Sequence, residues 1–124
     1  MTDIQFETYG DNPESRAIAL GEVESVYCEL DQDASATFTW NDGGDDDVLI
    51  VAVGPGFAKA SLLHSGEFYD LQVSTDDGLR EVNICGQLSE HPVRFLMSRD
   101  KGLEVIKKAG DIPELFTSYT WVNH

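Results

Sequence analysis

Residues that could carry out chemistry are few in this chain, and they are not grouped. Its histidines, His64, His91 and His124, are isolated and lack the His-x-Glu, His-x-x-x-His or Cys-x-x-Cys spacing of a zinc site. Cys85 could form a thiol dyad with a histidine, but it closes an alternating strand pattern. We therefore expect Cys85 and Cys28 to be buried, reduced thiols. The histidines are expected at the surface, and the chain is predicted not to be an enzyme.

The densest group of ionisable side chains is acidic: Asp42, Asp45, Asp46 and Asp47. Short loops of carboxylates bind calcium, but an EF-hand loop also needs a bidentate Glu, and the apolar run Val48 to Val53 occupies that position. The neighbouring glycines do not precede a helix that begins with Lys-Ser or Lys-Thr, as a phosphate-binding loop requires. The sequence therefore predicts no metal and no cofactor.

The net charge of the chain narrows the classes of molecule that it could bind. The 124 residues carry a net charge of −15, with 13 acidic residues and a single basic residue, Arg16, in residues 1–47. A chain this acidic is repelled by phosphate backbones and by anionic membranes, which disfavours direct nucleic-acid or membrane binding. The carboxylates either face water alone or form a docking surface for a basic protein, and composition does not separate these two interpretations.

The acidic residues are predicted to lie at the tip of a hairpin. Phe38 and Trp40 alternate with threonines, which is typical of a strand with one buried face, and Val48 to Val53 is apolar throughout, as in a doubly covered central strand. The turn residues Asn41 to Gly44 separate the two runs. We therefore expect a well-packed hairpin whose tip bears four carboxylates.

The remaining pattern predicts an α+β fold in one domain, residues 1–124. Apolar residues at helical spacing favour one helix near 22–30, and a second is expected near 99–109, after the N-cap candidate Ser98 and before Asp111-Ile112-Pro113. Further alternating segments, including one over Val93 to Met97, complete a mainly antiparallel meander of six or seven strands.

The order of these elements resembles bacterial polymorphic-toxin immunity proteins of immunity family one, which are often encoded beside nucleic-acid deaminase toxins. The residues that carry the resemblance are the helix Glu22 to Leu30, the strands Thr37 to Trp40 and Val48 to Val51, the late helix, and the ending formed by Gly110, Pro113 and Trp121. Trp121 itself is expected to be a core or lid aromatic, and Trp40 a core residue.

The resemblance implies a non-enzymatic cytoplasmic protein that forms a one-to-one complex with a cognate toxin, a deaminase or a nuclease, and occludes its basic cleft. The N-terminus shows no secretion signal, and self-repulsion favours a monomer when free. The predicted toxin-binding residues are Asp42, Asp45, Asp46 and Asp47, followed by Glu67, Asp70, Asp76 and Asp77. The alternative is a small acidic metal-binding or regulatory domain, such as a scaffold module, with no toxin partner.

Overall fold

The computed structural model describes residues 3–9, 13–41, 47–84 and 87–123. They contain nine strands, three short α-helices and two 3-10 turns. The strands are β1 (Ile4–Tyr9), β2 (Ser15–Ile18), β3 (Ser35–Asn41), β4 (Asp47–Gly54), β5 (Phe57–His64), β6 (Glu67–Gln72), β7 (Leu79–Ile84), β8 (Gln87–Pro92) and β9 (Thr120–Asn123). The α-helices are α1 (Val23–Cys28), α2 (Arg99–Lys107) and α3 (Ile112–Ser118), and 3-10 turns occupy Leu20–Glu22 and Val93–Phe95.

Seven of these strands form one antiparallel sheet in the order β2-β1-β3-β4-β5-β6-β9, and β7 and β8 form a separate two-stranded sheet. Consecutive strands β3 to β6 are neighbours and form a meander of four strands, shorter than the six or seven predicted, because β7 leaves the large sheet and pairs with β8. The α+β class with a mainly antiparallel sheet is therefore confirmed. The described residues contain nine strands rather than six or seven, and three α-helices rather than two.

The helices cover one face of the sheet. Phe38 lies opposite Phe6 of β1 and Val51 of β4, and all three are buried in the main core. α2 approaches closely at Gly102, where an added Cβ would lie 2.6 Å from both the Ala58 Cβ and the Tyr27 hydroxyl. A glycine inside a helix costs about 1 kcal/mol relative to alanine. Here it allows helix and sheet to pack.

The hairpin of β7 and β8 covers part of the other face. Phe57 of β5 packs there with Val82 of β7 and with Leu96, in a second cluster of buried residues. β4 is the middle strand of the large sheet, as predicted, but its two halves differ in burial. Val48 and Ile50 are half-buried, whereas residues 51–54 are buried. At Gly54 the hairpin is close, since an added Cβ there would lie 2.9 Å from the backbone carbonyl oxygen of Asn83.

The helices are short, with six, nine and seven residues. Isolated helices of this length are marginal in water, so packing onto the sheet stabilises them. Both predicted helices are present, close to the expected bounds. None of the described helices combines the length and the apolar composition needed to cross a membrane.

Cys28 is exposed, so the expectation of a buried thiol is wrong for this residue. The buried stripe of α1 consists of Val23, Val26 and Tyr27. Residue 28 follows this stripe by one position and is therefore rotated away from the core. Cys85 lies outside the described residues.

A third helix begins within Asp111-Ile112-Pro113, the segment that was expected only to end α2. The Asp111 carboxylate accepts a hydrogen bond of 3.2 Å from the Glu114 amide, and Pro113 occupies the first turn, where its missing N–H costs no helical bond. Trp121 of β9 is half-buried and donates from Nε1 to the Leu115 carbonyl at 3.1 Å. Trp40 is buried, as predicted.

The predicted strand over Val93 to Met97 is wrong. Residues 93–95 form a 3-10 turn, and Met97 makes only an isolated bridge to Ala58. The strand of this region is β8, and its residues 87–90 are all exposed. It therefore lacks the apolar alternation that would mark it in the sequence.

Candidate protein-binding surface

The predicted acidic hairpin forms at one end of the large sheet. β3 and β4 pair antiparallel up to Asn41 and Val48, so the connection between them lies at this end. Asp42, Asp45 and Asp46 lie in that connection, outside the described residues. Asp47 begins β4 opposite His64, and His64 lies opposite Glu67 of β6. We call the surface that carries Asp47 and Glu67 the acidic end.

Asp47 is held in place by a histidine. Its Oδ1 atom lies 2.6 Å from His64 Nδ1, and both side chains are about three-quarters buried, with 23% and 27% exposed. The His64 ring in turn packs on Phe116 of α3, with ring centroids 4.7 Å apart. No local pattern of residues indicates that α3 contacts this histidine. The expectation that His64 lies at the surface is therefore wrong. Its side chain is mostly buried and contacts Asp47.

Glu67 reaches the same end from the next strand but one. It is exposed, and its Oε2 atom accepts a 2.9 Å hydrogen bond from the Asn123 side chain of β9. Within the part of the chain that the structure describes, neither Glu67 nor Asp47 forms an ion pair with lysine or arginine. Among the described residues, the only ionisable nitrogen paired with either carboxylate is therefore His64 Nδ1, beside Asp47.

Asp70 was predicted in the same binding group, on an exposed turn, and this placement is wrong. It lies inside β6 and is 4% exposed. Its carboxylate accepts a 2.6 Å hydrogen bond from the Ser61 hydroxyl and lies 3.7 Å from the Lys59 ammonium. The alternation of side chains along β6 puts Asp70 on the face opposite the helices. The β7–β8 hairpin covers that face, so Asp70 is buried.

His91 links Asp70 to the hairpin. Burial lowers the pKa of His91, the Lys59 ammonium lowers it further, and the Asp70 carboxylate opposes both effects. The His91 Nε2 atom lies 2.8 Å from the Ser89 hydroxyl. His91 of the hairpin is therefore close enough to the sheet for the charges of Lys59 and Asp70 to act on its pKa, and Asp70 itself is too buried to meet a partner.

Asp76 and Asp77 are exposed but lie away from the acidic end. They follow the last residue of β6, Gln72, at the opposite end of that strand from Glu67. The Asp76 carboxylate accepts a 2.7 Å hydrogen bond from the Gly78 amide and so shapes the connection to β7. The predicted binding residues therefore do not form one surface.

A second acidic segment was not among the predicted site residues. Asp31 and Asp33 are exposed in the connection between α1 and β3. The Arg99 guanidinium donates hydrogen bonds of 2.8–3.2 Å to the backbone carbonyls of Asp31, Gln32, Ala34 and Gly54. A surface pocket of about 450 Å³ lies beside it, lined in part by Asp33 and Asp100. Every residue has a backbone carbonyl, so the residue types in the sequence do not reveal which carbonyls Arg99 binds.

Most basic residues are engaged within the chain. Arg16, Lys101 and Lys107 pair with Glu14, Glu104 and Glu24, Arg99 bonds backbone carbonyls, and Lys108 donates to the Tyr119 hydroxyl at 3.2 Å. Within residues 3–9, 13–41, 47–84 and 87–123, no three His, Cys, Asp or Glu side chains come together as metal ligands. The arrangement suits binding of a basic surface by charge complementarity.

No family model matches the chain, and no curated protein or solved structure matches it either. The resemblance to immunity family one therefore stays a prediction. The functional conclusion depends on the charge and geometry of the described surface.

Proposed function

We propose that this chain is an immunity protein that binds a cognate, basic toxin domain in the cytoplasm of the producing cell and blocks its nucleic-acid-binding cleft. The observation that carries the proposal is the acidic end, where Asp47 and Glu67 have no lysine or arginine ion pair among the described residues, in a chain of net charge −15. Carboxylates on such a surface are complementary to a cleft that binds phosphates.

Inhibition would proceed in two physical stages. The net charge of −15 first attracts a basic domain over distances of about one Debye length, roughly 8 Å at physiological salt. Carboxylates at the acidic end then occupy positions where the toxin would bind phosphates. Asp47 is oriented before binding by its 2.6 Å contact with His64, which reduces the ordering cost of the complex.

The rigidity of the sheet supports this role. Asp47, His64 and Glu67 lie on three adjacent strands in direct register, so their backbone positions are fixed by the ladders of β4, β5 and β6. A docking surface on paired strands moves less than one on a long loop. The binding function requires no nucleophile, metal or cofactor.

The first test is rescue. The proposal predicts that the adjacent gene encodes the toxin. That gene is expressed alone and together with the chain, and growth is measured. Immunity predicts that the toxin alone kills cells and that the chain restores growth. Persistent killing in the presence of folded, well-expressed chain would reject the proposal.

The second test asks which carboxylates contribute to association with the toxin. Asp45→Asn/Asp46→Asn removes two charges between β3 and β4. Glu29→Gln/Asp31→Asn removes two exposed charges elsewhere and is the matched control. At low salt, the first pair should slow association with the toxin by about tenfold or more, and flatten its salt dependence, relative to the control. Equal association rates for the two variants would remove Asp45 and Asp46 from the interface.

A further inference from the structure

The hairpin of β7 and β8 has an outer face whose residues the fold itself does not use. β7 and β8 pair so that Glu81 lies opposite Glu90, and Val82 lies opposite Ser89. Val82 is buried against Phe57 of the large sheet. Because successive side chains of a strand point to opposite faces, Glu81 and Glu90 point away from the sheet.

Two leucines share this outer face. Leu79 precedes Glu81 by two residues and Leu88 precedes Glu90 by two, so each leucine lies on the same face as the glutamates. Their exposed fractions, 63% and 64%, are the highest among the large hydrophobic residues that the structure describes. We call Leu79, Glu81, Leu88 and Glu90 the outer hairpin face.

The two glutamates repel each other in the free protein. Side chains directly opposite on antiparallel strands have Cβ atoms about 4.5–5.5 Å apart, and like charges there destabilise the pair. Within the described residues, neither Glu81 nor Glu90 forms an ion pair with lysine or arginine. A cation supplied from outside, placed between the two carboxylates, would relieve this repulsion.

We infer that the outer hairpin face is a second part of the toxin interface and binds an arginine or lysine side chain flanked by apolar residues. The inference rests on the proposed function, because the partner is the same basic toxin domain. An arginine fits best, since its planar guanidinium can donate to two carboxylates at once. The flanking apolar residues of the toxin would cover Leu79 and Leu88.

A second copy of this chain does not fit the same face. Two facing copies would bring four carboxylates together between molecules that each carry a charge of −15. The apolar contact of two leucines per copy is small beside the area of a stable interface, about 800 Å² per partner. Charge complementarity therefore selects a basic partner.

The carboxylates are tested with Glu81→Gln/Glu90→Gln. In the free chain this variant should raise the Tm by about 2 °C, because it removes the repulsion. In the complex it should raise the Kd for the toxin by about tenfold or more. The matched control, Glu29→Gln/Asp31→Asn, changes the net charge equally and should change the Kd by less than about threefold. A residue pair with a merely structural role would not stabilise the free chain while weakening the complex.

The leucines are tested with Leu79→Ser/Leu88→Ser, which should leave the Tm unchanged and weaken toxin binding by about tenfold or more. Val73→Ser, at an exposed apolar residue outside this face, is the control and should have little effect on binding.

Binding of the wild-type chain to the toxin is measured first, by titration calorimetry. If the wild type binds and the glutamate or leucine variants behave like their controls, the inference is overturned and the proposed function stands. If the folded wild type does not bind the toxin, both fail.

Discussion

The Tyr27 hydroxyl donates a 2.6 Å hydrogen bond to the backbone carbonyl of Arg99, and so joins α1 to the first residue of α2. The same Arg99 extends its guanidinium to the segment between α1 and β3. One short region of α2 therefore holds α1, the acidic segment after it, and the end of β4 at Gly54.

Tyr27→Phe removes that hydroxyl and leaves the ring. Burial raises the pKa of Tyr27, so the hydroxyl remains a donor in the neutral range. Loss of one buried hydrogen bond should lower the free energy of unfolding by about 1–2 kcal/mol, as measured by urea denaturation. The denaturant m-value should not change, because the area exposed on unfolding is the same. A variant as stable as the wild type would show that the bond contributes nothing.

Arg99→Lys keeps the charge but loses the planar fork. The lysine ammonium cannot donate to all four carbonyls that accept hydrogen bonds from Arg99. The free energy of unfolding should therefore fall by about 2–3 kcal/mol. Hydrogen exchange of the amides of residues 31–34 should quicken as well. Lys107→Ala breaks only the exposed ion pair with Glu24 and should cost less than about 1 kcal/mol. Similar losses for the two variants would contradict the role of the carbonyl contacts.

In Gly102→Ala, a gain in helix propensity is opposed by steric overlap between α2 and the atoms packed against it. Alanine favours the helix by about 1 kcal/mol, but its Cβ would lie 2.6 Å from the Ala58 Cβ and from the Tyr27 hydroxyl, so we expect net destabilisation of about 1–3 kcal/mol. The control is Gly21→Ala, where an added Cβ meets no atom within 4 Å. That control should stay within about 0.5 kcal/mol of the wild type in thermal unfolding. A more stable Gly102→Ala chain would show that α2 moves away at little cost.

His91 should make stability depend on pH. Burial and then Lys59 lower its pKa in the folded chain, with Asp70 opposing, and Arg80 lies opposite it in β7. The unfolded pKa is about 6.5. Since the folded chain disfavours the protonated form, this stabilisation is present above about pH 6.5 and is lost as the pH falls below that value towards the folded pKa.

The measurement is the Tm of the wild type and of His91→Gln between about pH 7.5 and 5. The wild type should lose stability more steeply, because glutamine takes up no proton in this range. Glutamine can still hydrogen-bond Ser89, as the neutral imidazole does, so the two curves should lie closest at the highest pH and separate as the pH falls. Parallel curves would exclude His91 as a source of the pH dependence.

The metal-binding alternative makes a separate prediction for the four aspartates between Asn41 and Val48. If the chain is a toxin-binding protein, calorimetric titration with calcium, magnesium or zinc should show no site tighter than about 10 µM. A tighter site that Asp45→Asn/Asp46→Asn abolishes would favour the alternative.

Local patterns in the sequence were sufficient for several elements. The alternation of Phe38 and Trp40, the apolar run from Val48, and the helical spacing of Val23, Val26 and Tyr27 each identify a buried face over a few residues, and those elements are present. Such patterns depend on geometry that repeats within one strand or helix. The same patterns predicted Asp47 in the hairpin tip just before the strand, whereas it is the first residue of β4.

Other features depend on contacts between distant segments. α3 begins at the sequence that ends α2, and its Phe116 supports His64. Asp70 has the alternation of a solvent-facing residue but is covered by a hairpin that starts nine residues later, at Leu79. Periodicity states which residues share a face, and it does not state what covers that face.

The sequence by itself therefore determined the fold class, the hairpin with its acidic connection, and an excess of negative charge that favours a basic partner. Only the tertiary structure decided which carboxylates remain accessible: Glu67 comes to the acidic end with Asp47, Asp70 is buried, and Asp76 and Asp77 lie elsewhere. The physical reason is that charge and alternation are properties of neighbouring residues, whereas burial depends on strand order and on the packing of segments far apart in the chain.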